Sequence, residues 1–271
     1  MKYIIFIFVC IWVTLLMISY GQQAIMAIDE KEFETEINNL QQGKDIVMRE
    51  KKEERSLNDQ LVILLHGLRG SSKSMQYIEK ALQGEGYSVI NYDYPSTSEP
   101  IEKLTEDIFR VLRTRMEDAR VVHFVTHSMG GIILRWYLQD HDIEKLGRVV
   151  MLVPPSKGSE IVDKLSGIFL FELITGPAGL QLGTKQGSIP VQLNDPNFEL
   201  GIIAADKSIN PFLSMFLPGK DDGRVSLDRV CPEVFTDYVC LPTSHLQVLS
   251  YPRAIVQMLH FIKEGRFLTE N

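Results

Sequence analysis

Ser128 stands in V-V-H-F-V-T-H-S-M-G-G, residues 121–131, where an apolar run ends in a serine flanked by histidine and glycines. A serine hydroxyl is a weak nucleophile until a base removes its proton, and that base needs a carboxylate to orient it. The chain supplies candidates for both further on. P-G-K-D-D-G-R-V-S, residues 218–226, offers Asp222, with Asp221 as its near alternative. Asp206, directly after an earlier apolar run, is a third candidate. P-T-S-H-L-Q-V-L-S, residues 242–250, offers His245. Nucleophile, acid and base in this order are the parts of an acyl-transfer site.

The other histidines fit the role of base less well. His123 lies inside a strand-like run, His141 in an acidic loop and His260 within V-Q-M-L-H-F-I, which reads as helix. His127 adjoins the serine on a tight turn and cannot point the same way. His66, in L-V-I-L-L-H-G-L-R-G from Leu61, is expected to brace its loop. Negative charge developing on a carbonyl oxygen needs preorganised N–H donors. The backbone amides of Leu68 and Met129 are placed to give them, with Gly67 letting the loop approach.

A strand, a serine and a helix in succession make a nucleophile elbow, which demands small residues on both sides of the turn. Gly130 and Gly131 supply them after Ser128, but Thr126 stands two residues before it in place of glycine. The competing reading of Ser128 is a helix N-cap.

These residues need a frame, and the sequence alternates accordingly. Strand-like runs occur at 61–65, 88–92, 121–125, 148–153, 199–205 and around 237–241. Helical periodicity marks 74–83, 101–117, 132–138 and 253–263. Strands alternating with helices imply βαβ units and a mostly parallel, doubly wound sheet covered on both faces, an α/β fold. The rhythm breaks at about 156–198, after Pro154-Pro155, with the apolar run I-F-L-F-E-L-I from Ile168 and many glycines. That stretch is expected to be a lid or cap insertion over the sheet edge.

With 271 residues, 45% of them hydrophobic, the chain can bury one sizeable core. Its formal charge of −7 disfavours nucleic acid as a partner, since phosphate backbones require a basic surface. Residues 1–21, one lysine followed by a long apolar run, read either as a cleaved signal, with Ser19 and Gly21 before the cut, or as a retained membrane anchor. Residues 22–57 form a polar connector, with Ile28, Phe33, Ile37 and Leu40 on one narrow face, and the main domain occupies 58–271. Cys10 lies in the apolar run, while Cys231 and Cys240 are either a disulfide or two reduced thiols.

H-G-L after the first core strand, T-H-S-M-G-G, V-P-P-S-K-G-S-E, D-D-G-R-V-S and the late S-H-L together resemble lipase-type α/β-hydrolases. G-P-A-G-L-Q-L-G from Gly176, I-N-P from Ile209 and H-F-I-K-E-G-R-F from His260 extend the resemblance from Leu61 to the C-terminus. It is strongest to a bacterial branch labelled acetyltransferases or hydrolases with this fold, related to class 2 lipases and to GPI-inositol-deacylase-like proteins. The resemblance implies the triad Ser128, Asp222 and His245, an oxyanion hole at Leu68 and Met129, and threonine as the usual residue at position 126. It implies a serine esterase or lipase that acts through an acyl-enzyme, with no cofactor or metal. An acyltransferase using the same triad, or an inactive hydrolase fold that only binds, are the alternatives. The partner expected is a hydrophobic ester or lipid, met outside the cytoplasm or at the membrane; the oligomeric state is not legible.

Overall fold

The structure, a computed structural model, describes residues 59–269. The apolar segment 1–21, read as a signal or anchor, and the polar connector 22–57 both lie outside the described residues.

Leu61–Leu65 is apolar at every position because its strand is covered on both sides. Strand β1 (Gln60–Leu65) sits inside a six-stranded, all-parallel sheet. Successive side chains of a strand face opposite ways. Leu61, Ile63 and Leu65 therefore join one core, while Val62 and Leu64 join the other. After β1, helix α1 (Gln76–Gly84) buries Tyr77, Ile78, Ala81 and Leu82 in the second core. Strand β2 (Ser88–Tyr92) follows and pairs parallel to β1. Helix α2 (Ile101–Asp118) then presents Ile101, Leu104, Ile108 and Leu112, spaced at helical intervals, to the first core.

Strand β3 (Val121–His127) enters beside β1, and helix α3 (Met129–Asp140) leaves it after a single residue, Ser128. The periodicity placed this strand's end at Val125 and the helix start at Ile132. The strand in fact continues through Thr126 and His127, and the helix begins at Met129. Gly130 and Gly131, expected as the small residues after the serine, belong to the first turn of this helix.

Strand β4 (Leu146–Leu152) adds to β3. The chain then leaves the sheet for the stretch 156–198, with helices α4 (Glu160–Leu165), α5 (Phe169–Leu180) and α6 (Ile189–Gln192). Helix α5 is kinked at Gly176, whose φ of 63° favours glycine, and Pro177 opens the segment beyond. A Cβ at Gly176 would lie 1.9 Å from the Thr97 carbonyl oxygen. The two ends of this stretch are held to the helix behind the elbow by one buried side chain. Arg135 of α3 donates to the carbonyls of Ser156 at 3.4 Å and Asn194 at 2.9 Å. Burial lowers its pKa to about 10.

Strand β5 (Leu200–Ala205), the short helix α7 (Pro211–Ser214), strand β6 (Asp237–Leu241) and helix α8 (Pro252–Glu264) complete the fold. Strand order is β2-β1-β3-β4-β5-β6. Ala254, Ile255, Met258, Phe261 and Ile262 of α8 close the second core. Cys231 and Cys240 are free thiols, the first partly buried and the second exposed. Among the described residues no helix is long and apolar enough to cross a membrane.

Candidate active site

In a parallel sheet the strands end at one edge, and the loops beyond that edge are free to carry chemistry. Leu65 of β1 pairs with Thr126 of β3, and His127 pairs with Leu152 of β4. The loops after β1, β3 and β4 thus open side by side, and in an all-parallel sheet those after β5 and β6 open along the same edge. Ser128 is fixed where β3 ends. Its N–H donates to the Leu152 carbonyl at 2.9 Å, and its backbone is held at φ 51°, ψ −121°. A non-glycine residue at positive φ is strained by about 1–3 kcal/mol. The strain turns its side chain away from the sheet. Although Ser128 occupies the N-cap position of α3, its side chain makes no capping hydrogen bond. The hydroxyl is used elsewhere.

It meets His245. The Ser128 Oγ lies 2.9 Å from His245 Nε2, and His245 Nδ1 lies 2.7 Å from Asp222 Oδ2. Ionised Asp222 only accepts, so Nδ1–H donates to it and Nε2 is left to accept from the serine hydroxyl. All three residues are buried, Asp222 at 1% exposure. The second oxygen of Asp222 accepts from the N–H groups of Arg224 at 2.9 Å and Val225 at 2.8 Å. The carboxylate is therefore fully committed. The backbone ties the same loops together, since His245 N–H donates to the Asp222 carbonyl at 3.0 Å.

The other acids do not reach the imidazole. Asp221 accepts from Ser214 Oγ and Gly223 N–H, each at 2.7 Å. Asp206 faces Lys220 at 3.4 Å. Of the three acids, only Asp222 bonds to His245. His260, on α8, bonds to the Arg266 carbonyl just beyond the helix, and His123 links Gln60 to the Arg148 N–H.

The loop after β1 lies against the elbow. A Cβ at Gly67 would sit 2.8 Å from His127 Nδ1 and 3.0 Å from Ser128 Cβ. A Cβ at Gly130 would meet the Leu65 carbonyl oxygen at 2.4 Å and that of His66 at 2.8 Å. The helix turn after the serine thus touches the end of β1 itself. Thr126 faces a different glycine: a Cβ at Gly131 would lie 3.1 Å from Thr126 Oγ1. The second glycine makes room for the threonine. Leu68 follows Gly67 and lines the cavity in front of Ser128, and Met129 opens α3 directly behind it. Among the described residues, neither the Leu68 nor the Met129 N–H is given to a protein acceptor.

His66 braces that loop. Its Nδ1–H donates to the Gly67 carbonyl, its Nε2 accepts from the Tyr94 N–H, and its ring stacks on Tyr94 at 4.1 Å. His127 does more than turn away from the serine. Its Nε2–H donates to the carbonyl of His245 at 2.9 Å and holds that residue's backbone in place. Adjacency to the serine gave no sign of this, because the partner lies 118 positions along the chain.

Burial keeps both imidazoles neutral. The pKa of His66 is lowered, and that of His127 well below the usual value, chiefly by desolvation. His123 is lowered to about 4 for the same reason. As pH falls through about 6.5, the unfolded chain takes up protons that the native state refuses, so stability drops. Each histidine that stays neutral when folded removes about 1.4 kcal/mol between pH 7.5 and 5.5. His123 and His127 together predict a loss near 3 kcal/mol, with His66 adding to it. Denaturant titrations at the two pH values measure this; equal midpoints would contradict it.

A model of the alpha/beta hydrolase fold matches residues 60–188, which hold the first four strands with the loop after β1 and the elbow. This is an α/β-hydrolase-fold protein. Solved structures agree on the architecture. The mature Bacillus licheniformis lipase BlEst2 aligns with a TM-score of 0.60 at 20% identity, covering 75% of this chain and 91% of the lipase. Phospholipase PlaB from Legionella pneumophila aligns at 0.62 and 15% identity, over 76% of this chain and 60% of its own. The metagenomic carboxyl esterase MGS0156 aligns at 0.60 and 16% identity, over 76% of each. A search of curated proteins found no match.

In this α/β-hydrolase-fold protein, Ser128 and His245 open onto a cavity of about 500 Å³. Ile161, Val162, Ile168, Phe171, Ile174 and Phe216 make its walls largely apolar, and most of these come from the stretch between β4 and β5. The run Ile168–Ile174 is divided between two surroundings. Phe171 and Ile174 line the cavity, while Phe169 and Leu173 are 76% and 67% exposed.

Proposed function

We propose that this protein is a serine hydrolase of carboxylic esters with apolar acyl groups. One observation carries the reading: the hydrogen-bonded chain Ser128–His245–Asp222 opens onto an apolar cavity. His245 takes the hydroxyl proton as Ser128 Oγ attacks the ester carbonyl carbon, and Asp222 stabilises the imidazolium that forms. The N–H groups of Leu68 and Met129 receive the oxyanion. Collapse of the tetrahedral intermediate expels the alcohol, which takes its proton from His245 and leaves an acyl-serine. Water, activated by the same imidazole, then releases the acid and restores the hydroxyl. The names of the structural neighbours, lipase, phospholipase and carboxyl esterase, support the same class of substrate. The apolar segment at residues 1–21 supports action outside the cytoplasm or at a membrane.

The cavity accounts for the acyl chain. Each methylene moved from water onto apolar walls contributes up to about 0.8 kcal/mol, close to fourfold in kcat/KM. Turnover of p-nitrophenyl esters should therefore climb from acetate through butyrate to octanoate. A preference for acetate over octanoate would sink the assignment of the cavity as an acyl site.

A further inference from the structure

The cavity beside Ser128 is apolar except for an uneven set of charges. Arg69, Lys164 and Arg224 line it, and no aspartate or glutamate does. This runs against the chain as a whole, whose formal charge is −7. Lys164 is partly satisfied, since its ammonium donates to the Phe216 carbonyl at 2.9 Å. The two arginines are not. Among the described residues neither guanidinium has a hydrogen-bond or ion-pair partner, whereas the exposed Arg113 and partly exposed Arg148 both do.

Both arginines are only partly exposed, and none of their nitrogens is a buried, orphaned atom. The unpaired N–H groups are therefore accessible, on two residues that line the cavity. Arg69 follows Leu68 in the loop beside the elbow, at a positive φ of 59°. Arg224 follows the Asp222-Gly223 turn. Among the described residues the carboxylate that acts on its charge is Asp222, which gives one oxygen to His245 and the other to two backbone N–H groups and forms no ion pair with the guanidinium. Apart from burial, the largest influence on the Arg224 charge is repulsion from Arg69, so the two guanidiniums share one region. Two like charges held together with no carboxylate bonded to either, against apolar walls, are costly unless an anion joins them.

We infer that Arg69 and Arg224 form an anion subsite, and that the ester cleaved at Ser128 belongs to an amphiphile carrying a phosphate near the scissile bond. The inference rests on the serine-hydrolase reading for its reaction but not for its binding. A carboxylate has two oxygens and is satisfied by one guanidinium fork; a phosphate monoester presents three, enough for two forks. The apolar walls take the acyl chain and the arginines take the headgroup. The ester between them then lies at Ser128, which lines the same cavity.

The test compares 1-octanoylglycerol with 1-octanoylglycerol 3-phosphate, two esters that differ only in the phosphate. Full-chain Ser128→Ala protein should bind the phosphate-bearing ester about tenfold or more tightly, as expected of charge-assisted hydrogen bonds. Wild-type kcat/KM should favour the same ester. The double variant Arg69→Gln, Arg224→Gln should bring both ratios to near unity, and Arg69→Lys with Arg224→Lys should keep part of the preference. The Arg224 backbone, which holds Asp222 and Ser159, is retained in these variants. A folding defect would weaken both esters together and leave the ratio standing. Equal binding of the two esters by Ser128→Ala protein, or a preference that survives the double glutamine variant, would overturn the subsite. Inorganic phosphate competing as well as the lipid would mark a site for free phosphate and overturn the substrate assignment. Selective binding without wild-type turnover of either ester would instead refute the hydrolase reading and leave the anion subsite in place.

Discussion

Ser128→Ala is expected to lower kcat on any accepted ester by roughly 10⁶-fold, to the level left by binding and oxyanion stabilisation alone. The fold should barely register the change. Ser128 holds its place through its N–H to Leu152 and its position between β3 and α3, and both survive in alanine. The hydroxyl makes one hydrogen bond, to His245 Nε2, and that nitrogen faces the cavity once the oxygen is gone. The stability cost should stay near 1 kcal/mol. Steady-state turnover and thermal unfolding of the same preparation measure both quantities. A variant that kept activity within about tenfold of wild type would remove Ser128 from the reaction.

The next largest effect separates two adjacent acids. Asp222→Asn places an amide where Oδ2 now accepts from His245 Nδ1–H. The amide's oxygen can keep the Arg224 and Val225 N–H groups, so its NH₂ group faces the imidazole. Nδ1 must then accept, the ring proton moves to Nε2, and the imidazole can no longer take the proton of Ser128. A fall in kcat of roughly 10⁴-fold follows, as when the same carboxylate is neutralised in serine proteases. Asp221→Asn keeps an oxygen for Ser214 and Gly223 and touches neither His245 nor Ser128, so its kcat should stay within about tenfold. Measuring the two variants side by side decides the acid. The opposite order of effects would move the triad to Asp221.

The frame of this site was legible because its signals are local. The apolar run Leu61–Leu65 has to be covered on both faces, and the helical spacing of Ile101, Leu104, Ile108 and Leu112 has to face a core. The order Ser128, Asp222, His245 could be read from residue types beside those runs, and the structure brings the three together. What stayed hidden depends on contacts distant in sequence. Thr126 looked like a departure from the elbow pattern because the sequence does not show that Gly131 makes room for it. The short helix that reads as Ile132–Leu138 extends back to Met129, where Gly130 packs on the end of β1, a contact with no periodic signature. His127 adjoins the serine and turns away from it, but its bond to the His245 carbonyl, 118 positions along the chain, leaves no local trace. Arg69 and Arg224 sit 155 positions apart by their numbering, one after H-G-L and one inside D-D-G-R-V-S, and only the folded chain shows that they line one cavity.

A nucleophilic serine primed by His245 would be phosphonylated by a fluorophosphonate probe, whose phosphorus mimics the tetrahedral carbon of the acyl intermediate. Treating wild-type and Ser128→Ala protein with the probe and mapping the adduct by peptide mass spectrometry tests the central claim most directly. The account predicts one adduct, on Ser128, that is absent from the alanine variant. A wild-type protein that stays unlabelled, or an adduct that persists when Ser128 is alanine, would contradict it.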